Sequence, residues 1–259
     1  SEIIHFHNYP SEEYHVETED GYILTINRIP HGSISSHFTA ARPVVFLLHG
    51  VVGDGSHWIS NQPHNSFGFI LADNGYDVWL GNSRGNTWSS NHKILKPWQK
   101  EFWSFSFHEM GYYDIPAAIY FILNQTKQQQ LYYVGHSEGT TAGFISFSTW
   151  PELAEKIKIH NKKGFQAYDY GTKEKNMEKY NQIIPPVYKI EDIKIPIALW
   201  SGGNDLFVNI RDVEALISRL SNVIYHQHVP EWQHLDYIWG LDATEIMYMR
   251  IIEIMKSYA

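Results

Sequence analysis

The chain has 259 residues, of which 43% are hydrophobic and 19% are charged. This composition is typical of a packed globular protein and excludes a disordered or fibrous chain. Twenty Lys and Arg against 28 Asp and Glu give a formal net charge of −8. An acidic chain without a basic cluster argues against nucleic acid as a partner. No run of 18 apolar residues occurs, so no transmembrane helix is predicted.

The sequence contains no cysteine, which excludes a disulfide framework, a thiolate nucleophile and a zinc-thiolate site. The first ten residues are polar and lack the apolar centre of a signal peptide. We therefore expect either a cytosolic protein or a sequence that begins at a mature N-terminus. Asn124 opens the tripeptide Asn-Gln-Thr, which makes it a candidate glycosylation site.

Predicted strands and helices alternate along the chain. Residues 14–28 predict two strands around an Asp20-Gly21 turn. Further strands are predicted by the apolar runs 43–48, 76–80, 131–134, 195–200 and 221–225. The continuous apolar character of the first run is typical of a strand that is buried on both faces. Helices are predicted where apolar residues recur at helical spacing, over 115–122 and 213–220, and over 243–258. The alternation predicts an α/β fold with a doubly wound, mostly parallel sheet in one domain over 1–259.

One region does not fit this pattern. Between Ile159 and Ile193 the chain is polar, contains two glycines and two adjacent prolines, and has no clear strand pattern. A regular α/β sheet would place a strand near here. We therefore interpret residues 160–188 as an irregular segment of the fold.

A candidate nucleophile follows the predicted strand 131–134. The run Gly135-His-Ser-Glu-Gly139 matches the G-x-S-x-G pattern, and a predicted helix follows it. Glycines on both sides of the serine allow a sharp strand-to-helix turn that lifts the Ser137 hydroxyl above the edge of the sheet. The alternative is an ordinary serine in a turn.

A nucleophilic serine needs a base and an acid that orients the base, in the chain order Ser, Asp or Glu, His. Asp205 lies just past the carboxyl end of a predicted strand, where sites of open α/β sheets form. It could instead cap the helix that starts near Asn209. Of the later histidines, His234 lies in a loop that could reach Ser137. The pair His226 and His228 lies at the end of the strand predicted over 221–225, where the pleat dictates the direction of the side chains.

Two further features concern the chemistry of the site. His226 and His228 together with Glu231 also suggest a metal site, but no further well-spaced ligands are visible, so we predict neither a metal nor a cofactor.

The oxyanion hole of an acyl transfer needs two hydrogen-bond donors. One is predicted to be the backbone N–H of Glu138, and the other the backbone N–H of Val51, in the loop that follows His49-Gly50.

The sequence resembles the acid lipase family, which comprises the gastric and lysosomal acid lipases and their skin and tear relatives. The longest matching block is Gly75-Tyr-Asp-Val-Trp-Leu-Gly-Asn-Ser-Arg-Gly-Asn-Thr-Trp88. Shorter matches are Tyr9–Tyr14, Thr18–Leu24, Asn27–Pro30, Arg42–Val45, Phe102–Phe107, Gly135–Thr141, Phe165–Gly171 and His234–Trp239. The resemblance implies a secreted or lysosomal α/β-hydrolase that acts on neutral lipid esters. It assigns the catalytic roles to Ser137, Asp205 and His234, and the oxyanion donors to Val51 and Glu138.

Two departures from the family pattern affect the expected function. The family's cap insertion, with its lid, would follow Ile159, but this sequence continues directly into His160-Asn-Lys-Lys163 and Gly164, so we expect the cap and the strand that leads into it to be absent. Glu138 stands where the family usually has Gln, and an ionised carboxylate beside a forming oxyanion is unfavourable.

Two functions remain open at this point. One is a serine ester hydrolase that acts on lipid or short carboxylic esters. The other is a lipid-binding, lipase-like protein that has lost turnover. Without a cap the walls around Ser137 are expected to lie open. This favours short esters, contact with lipid interfaces and self-association.

Overall fold

The structure, a computed structural model, describes residues 1–33, 41–157 and 165–258. Strands in this part are β1 (Glu12–Glu17), β2 (Tyr22–Ile29), β3 (Val44–Leu48), β4 (Asp77–Gly81), β5 (Asn91–His92), β6 (Tyr132–Gly135), β7 (Phe165–Gln166), β8 (Val187–Tyr188), β9 (Ile197–Gly202) and β10 (Val223–Val229). The α-helices are α1 (Glu2–Phe6), α2 (Phe67–Asp73), α3 (Phe107–Glu109), α4 (Ile115–Thr126), α5 (Glu138–Thr149), α6 (Pro151–Ala154), α7 (Lys173–Tyr180), α8 (Ile210–Arg219), α9 (Asp236–Trp239) and α10 (Met249–Ser257). Short 3-10 helices cover Gly55–Ile59, Pro63–Asn65 and Lys100–Trp103, and π-helical turns cover Met110–Asp114 and Thr244–Tyr248. None of the described helices is long and apolar enough to cross a membrane.

The larger sheet has the strand order β1-β2-β4-β3-β6, and β5 pairs with β2. Strands β1 and β2 form the predicted hairpin, and Gly21 takes the positive φ of +95° in its turn, which a residue without a Cβ adopts readily. Strand β2 is antiparallel to β4, whereas β4, β3 and β6 are parallel to one another. The predicted mixed and mostly parallel α/β architecture is therefore present.

The core lies on both faces of this sheet. Every residue of β3 and β4 is buried, as their continuous apolar runs predict. On one face Val45 and Leu47 pack with residues of α2 and α10. On the other face Val44, Phe46 and Leu48 pack with residues of α4 and α5. Because β3 and β4 are fixed from both sides, the loops at their carboxyl ends start from rigid positions.

The sheet is interrupted beyond β6. Strand β10 pairs in parallel with β9, and in the described part of the chain neither of them pairs with β6. A single bridge from Leu131 to Ile157 marks the start of pairing on the open edge of β6. Residues of both β6 and β9 line a cavity of about 370 Å³ between the two strands. The strand that leads into the cap would fall within residues 158–164, which lie outside the described residues, so its predicted loss stays a prediction.

The irregular segment predicted over 160–188 is only partly described, because residues 158–164 lie outside the described residues. In the remainder, the two-residue strands β7 and β8 pair antiparallel on either side of α7. Strand β10 runs to Val229 and is longer than the predicted strand over 221–225. His226 and His228 lie in the last part of this strand.

Candidate active site

A strained turn presents the Ser137 hydroxyl between β6 and α5. Ser137 has φ +53° and ψ −117°, a backbone conformation that non-glycine residues rarely adopt. The glycines on either side make this turn possible. A Cβ on Gly135 would lie 2.7 Å from the carbonyl carbon of Gly139, and a Cβ on Gly139 would lie 2.5 Å from the Leu48 carbonyl oxygen. The predicted strand–turn–helix around Ser137 is present, and the strain indicates a functional site.

The three residues predicted as a triad come together in space. His234 lies 97 residues after Ser137 in the chain, yet the Ser137 Oγ is 2.8 Å from the Nε2 of His234. The Nδ1 of His234 lies 2.9 Å from Oδ2 and 3.1 Å from Oδ1 of Asp205. Because a carboxylate only accepts, Nδ1 carries the proton and donates it to Asp205, which leaves the Nε2 lone pair directed at the serine hydroxyl.

Asp205 is held by its own loop. Its Oδ1 accepts hydrogen bonds from the backbone N–H groups of Phe207 and Val208, at 2.9 and 3.0 Å. The side chain of Asp205 is only 3% exposed, and that of His234 is 13% exposed. The cap of α8 is Asn209, whose side chain accepts from the Arg211 N–H. The alternative role of Asp205 as the cap of this helix is therefore excluded.

The two histidines of β10 have a different partner. The Nε2 of His226 and the Nδ1 of His228 lie 2.9 and 3.0 Å from the hydroxyl of Ser201 on the neighbouring strand. Among the described residues, no three His, Asp or Glu side chains are grouped so that they could hold a metal ion. His226 and His228 therefore contribute to the pairing of β9 with β10, and Glu231 is exposed in the loop that follows.

The loop of the predicted oxyanion donors lies against the nucleophile. A Cβ on Gly50 would be 2.7 Å from the Cβ of Ser137, so only a glycine allows this approach. A turn closes here, with the Gly53 N–H donating to the Gly50 carbonyl. Glu138 begins α5. In the described part of the chain, neither the Val51 nor the Glu138 amide N–H donates to a protein acceptor. Both are therefore available to a bound group.

The loop that contains Val51 is held in place by hydrogen bonds with the residues that follow β4, Asn82 and Ser83. The Ser83 N–H donates to Nε2 of the buried His49, whose Nδ1 in turn donates to the Gly50 carbonyl. The side chain of Asn82 accepts from the Gly55 N–H and donates to the Thr25 carbonyl. In the sequence analysis these residues, which belong to the matching block Gly75–Trp88, contribute only to the family resemblance. Their structural role is to fix the loop that contains Val51, and no local pattern in the sequence reveals that role.

His136 connects the nucleophile turn to the loop of the base. Its Nε2 donates to the backbone carbonyl of His234 over 2.9 Å, and its Nδ1 is buried without a hydrogen-bond partner among the described residues. Burial, together with a smaller electrostatic contribution from the neighbouring His234 side chain, lowers the pKa of His136 to about 4. His136 is thus a neutral side chain over most of the pH range, and it positions the backbone that carries His234.

Glu138 is the second departure from the family pattern, and burial changes its charge. Its pKa is raised above the ordinary value by burial at the start of α5. A raised pKa keeps a larger fraction of the carboxyl neutral in weak acid, which reduces its repulsion of negative charge at Ser137.

Exposed apolar side chains surround the mouth of the site. Leu206 and Phe207 follow Asp205 and are 92% and 81% exposed, and Leu235 follows His234 and is 42% exposed. In the oxyanion loop Val52 is fully exposed and has φ +54°. Asn124, the candidate glycosylation site, is also exposed, in the last turn of α4.

Comparisons with known sequences agree with this architecture. Residues 1–62 match the family model of a partial alpha/beta-hydrolase lipase region, and residues 43–158 match that of the alpha/beta hydrolase fold. The lysosomal acid lipase/cholesteryl ester hydrolase of Homo sapiens is 40% identical over 361 positions, which cover 100% of this chain and 90% of the relative. The gastric triacylglycerol lipase of Bos taurus is 38% identical over 360 positions, which cover 99% of this chain and 91% of the relative. Since this chain has 259 residues, roughly a hundred aligned positions of each relative have no counterpart in it.

The fold also matches solved structures. An esterase of Pyrococcus furiosus superposes with a TM-score of 0.64 at 17% identity, over 98% of this chain and 93% of the esterase. A predicted hydrolase of Thermoplasma acidophilum superposes with a TM-score of 0.58 at 14% identity, over 96% of this chain and 99% of that one. At these identities the match establishes the fold. Together with the sequence relatives, it shows that this chain belongs to the acid lipase family of α/β-hydrolases.

Proposed function

We propose that the protein is a serine ester hydrolase that works through an acyl-enzyme on Ser137. The observation that carries the proposal is the position of His234, which lies within hydrogen-bond distance of both the Ser137 hydroxyl and the Asp205 carboxylate. Such a chain of contacts is what a nucleophile, a general base and an orienting acid require.

In the first half-reaction, Ser137 Oγ attacks the carbonyl carbon of the ester while its proton passes to Nε2 of His234. The imidazolium that forms is stabilised by the Asp205 carboxylate at Nδ1. The carbonyl oxygen becomes an oxyanion, which the backbone N–H groups of Val51 and Glu138 bind. The carbon–oxygen bond to the alcohol then breaks, and the alcohol leaves with the proton from Nε2.

The second half-reaction uses the same groups. A water molecule loses a proton to Nε2 of His234 and attacks the acyl carbon on Ser137. The bond from the acyl carbon to Oγ breaks, Oγ takes the proton back from His234, and the carboxylic acid leaves. No cofactor takes part in either step.

Neutral lipid esters are the proposed substrates, because the relatives are named as triacylglycerol and cholesteryl ester hydrolases. Their names also suggest a lysosomal or secreted location for this chain. The exposed apolar residues at the mouth, Leu206 and Phe207 among them, support contact with lipid surfaces and self-association through the same region.

The chain forms one α/β-hydrolase domain in this proposal, and the cap insertion of the family is missing within residues 160–188. Three observations support this position. The aligned relatives carry roughly a hundred additional positions. Among the described residues, no strand joins β6 to β9 in one sheet. The chain segment from the end of α5 to β9 contains, in its described part, only elements of eight residues or fewer.

Hydrolysis of p-nitrophenyl butanoate by the wild type, Ser137→Ala and Asp205→Asn tests the function. The proposal predicts that Ser137→Ala abolishes turnover and that Asp205→Asn lowers kcat by about 10⁴, since the amide stabilises the wrong tautomer of His234. Ser56→Ala is the matched control, because Ser56 lies in the 3-10 helix at Gly55–Ile59, outside the residues that line the site, and should retain full activity. Equal rates for the wild type and Ser137→Ala would refute the proposal.

The alternative, a lipid-binding protein without turnover, is distinguished by the same experiment. It predicts that folded wild-type protein binds a fatty acid at a 1:1 ratio and hydrolyses no ester between pH 4 and 8. Turnover that depends on Ser137 would exclude it.

A further inference from the structure

The cavity between β6 and β9, called the sheet slot here, begins at the candidate nucleophile. Ser137, Asp205 and His234 lie at its mouth. From there the slot passes along the two strands, with Val134 of β6 and Leu199 of β9 among its walls. The slot is therefore continuous with the position at which an ester carbonyl would be attacked.

The slot lies between two strands that no described strand joins. All residues of β3 and β4 are buried, whereas Tyr133 and Val134 of β6 and most of β9 are only partly buried. Residues from both core layers reach the slot, since no described strand separates the layers there. From α5 and α10, the elements on the two faces, it is lined by Phe144, Phe147, Ile251, Ile254 and Met255.

The walls of the sheet slot present mainly apolar surface to a ligand, because several of their polar atoms already form hydrogen bonds within the protein. The hydroxyl of Tyr133 donates to the Gly139 carbonyl at 2.6 Å, and that of Tyr132 donates to the Met255 carbonyl at 2.8 Å. The Ser201 hydroxyl is engaged by two histidines. A long apolar group is therefore a better occupant than a polar one.

The dimensions suit an extended hydrocarbon chain. The slot is lined along β9 from Ser201, near the triad, to Ile197, and Ile195, which precedes the strand, also lines it. The four residue steps from Ser201 to Ile197, at about 3.3 Å each, give a length of about 13 Å along the strand, which accommodates a fatty acyl chain of medium length. The volume of about 370 Å³ falls within the range of small-ligand sites.

We propose that the sheet slot binds the unbranched acyl chain of the ester, so that the protein prefers medium and long acyl chains although it has no cap. This inference rests on the proposed function, in which the acyl carbon is bonded to Ser137. It assigns the acyl-binding role to a gap in the sheet.

A chain-length series tests the proposal. The kcat/KM for p-nitrophenyl esters from butanoate to dodecanoate should rise by up to about fourfold for each methylene that becomes buried. Ala198 lines the slot on β9, and Ala198→Phe should fill it. We expect Ala198→Phe to lower the dodecanoate-to-butanoate ratio of kcat/KM at least tenfold. Ala215→Phe is the matched control, because Ala215 is exposed on α8 and does not line the slot, and it should keep the wild-type ratio.

A second measurement does not depend on turnover or on the folding of Ala198→Phe. The Ser137→Ala protein is titrated calorimetrically with dodecanoate and is then cross-linked with dodecanoate that carries a terminal diazirine. The proposal predicts 1:1 binding and labelling of residues at the inner end of the slot, such as Ile195 and Met255. Labelling of the exposed residues Leu206 and Phe207, or no binding, would overturn it.

The two proposals fail in distinguishable ways. If the wild type hydrolyses esters with no dependence on chain length and Ala198→Phe does not change the ratio, the slot proposal is wrong and the proposed function stands. If no ester is hydrolysed but dodecanoate labels the inner end of the slot, the proposed function is wrong together with the ester preference that rests on it, and only the binding of acyl chains in the slot stands.

Discussion

Protonation of His136 should reduce the stability of this fold in acid. Burial lowers the pKa of His136 to about 4 from an ordinary value of 6.5, so the folded protein binds this proton less tightly than the unfolded chain does. The stability that depends on neutral His136 is therefore fully present above pH 6.5. It is lost as the pH falls from 6.5 towards 4, and it changes little below 4, where both states are protonated.

The size of the effect follows from the two pKa values. The difference between 6.5 and about 4 corresponds to about 3 kcal/mol of unfolding free energy at pH 4. Urea denaturation of the wild type and of His136→Gln, from pH 7 to pH 4, measures it. Groups that titrate in both proteins, such as Glu138, cancel in the difference. The stability of the wild type relative to His136→Gln should fall by about 3 kcal/mol over this range.

The reasoning would be refuted if the free energies of unfolding of the wild type and of His136→Gln differed by the same amount at every pH. Such a constant difference would mean that His136 is hydrated in solution or is protonated in the folded state at neutral pH.

Three other changes should have measurable effects. Gly139→Ala places a Cβ 2.5 Å from the Leu48 carbonyl oxygen and should lower the urea-unfolding free energy by about 2 kcal/mol or more, whereas a stability equal to wild type would show that the turn around the nucleophile is not tight. Arg84→Leu leaves the buried Asp114, 2.6 Å from the arginine, without its partner, and should cost about 3–5 kcal/mol in the same assay; a loss below 1 kcal/mol would contradict the buried ion pair. Glu138→Gln should raise kcat more at neutral pH than in weak acid, because burial raises the pKa of Glu138 and a larger fraction of its carboxyl is neutral in weak acid; a pH–kcat profile identical to wild type would show that the side chain does not influence the oxyanion.

Much of the fold could be predicted because the buried parallel strands have continuous apolar sequences. The runs that end near Leu48 and Leu80 become β3 and β4, and both are buried throughout. The helical spacing from Ile115 to Ile122 becomes α4, whose buried face contains these residues. Local periodicity is sufficient in these cases because each element is packed in the way that its own sequence requires.

The site residues could be predicted because the order of the triad and its place at strand ends follow from the geometry of the fold. Ser137, Asp205 and His234 follow β6, β9 and β10, and they meet at the carboxyl ends of these strands. Their catalytic roles stay a prediction. The supporting network of His49, Ser83 and Asn82 could not be predicted, since it joins loops that local patterns do not relate.

The sequence predicts that the sheet lacks a strand, but it does not predict the cavity between β6 and β9. The polar sequence before Ile193 indicates that a strand is lacking, and the absence of the cap favours an open site and short esters. Where the flanking strands come to lie depends on how β6 and β9 pack, and no local pattern specifies this. The sheet slot between them predicts the opposite preference, so the chain-length series decides between an open site and a buried acyl chain.

The central claim is that Ser137 is a nucleophile activated by His234. A fluorophosphonate reacts with an activated serine, and the adduct is measured by intact mass and located by peptide mapping. The account predicts one phosphonyl group per protein chain, located on Ser137, and no adduct on Ser137→Ala or after urea unfolding. Folded protein that remains unlabelled between pH 4 and 8, or labelling that persists in Ser137→Ala, would contradict it.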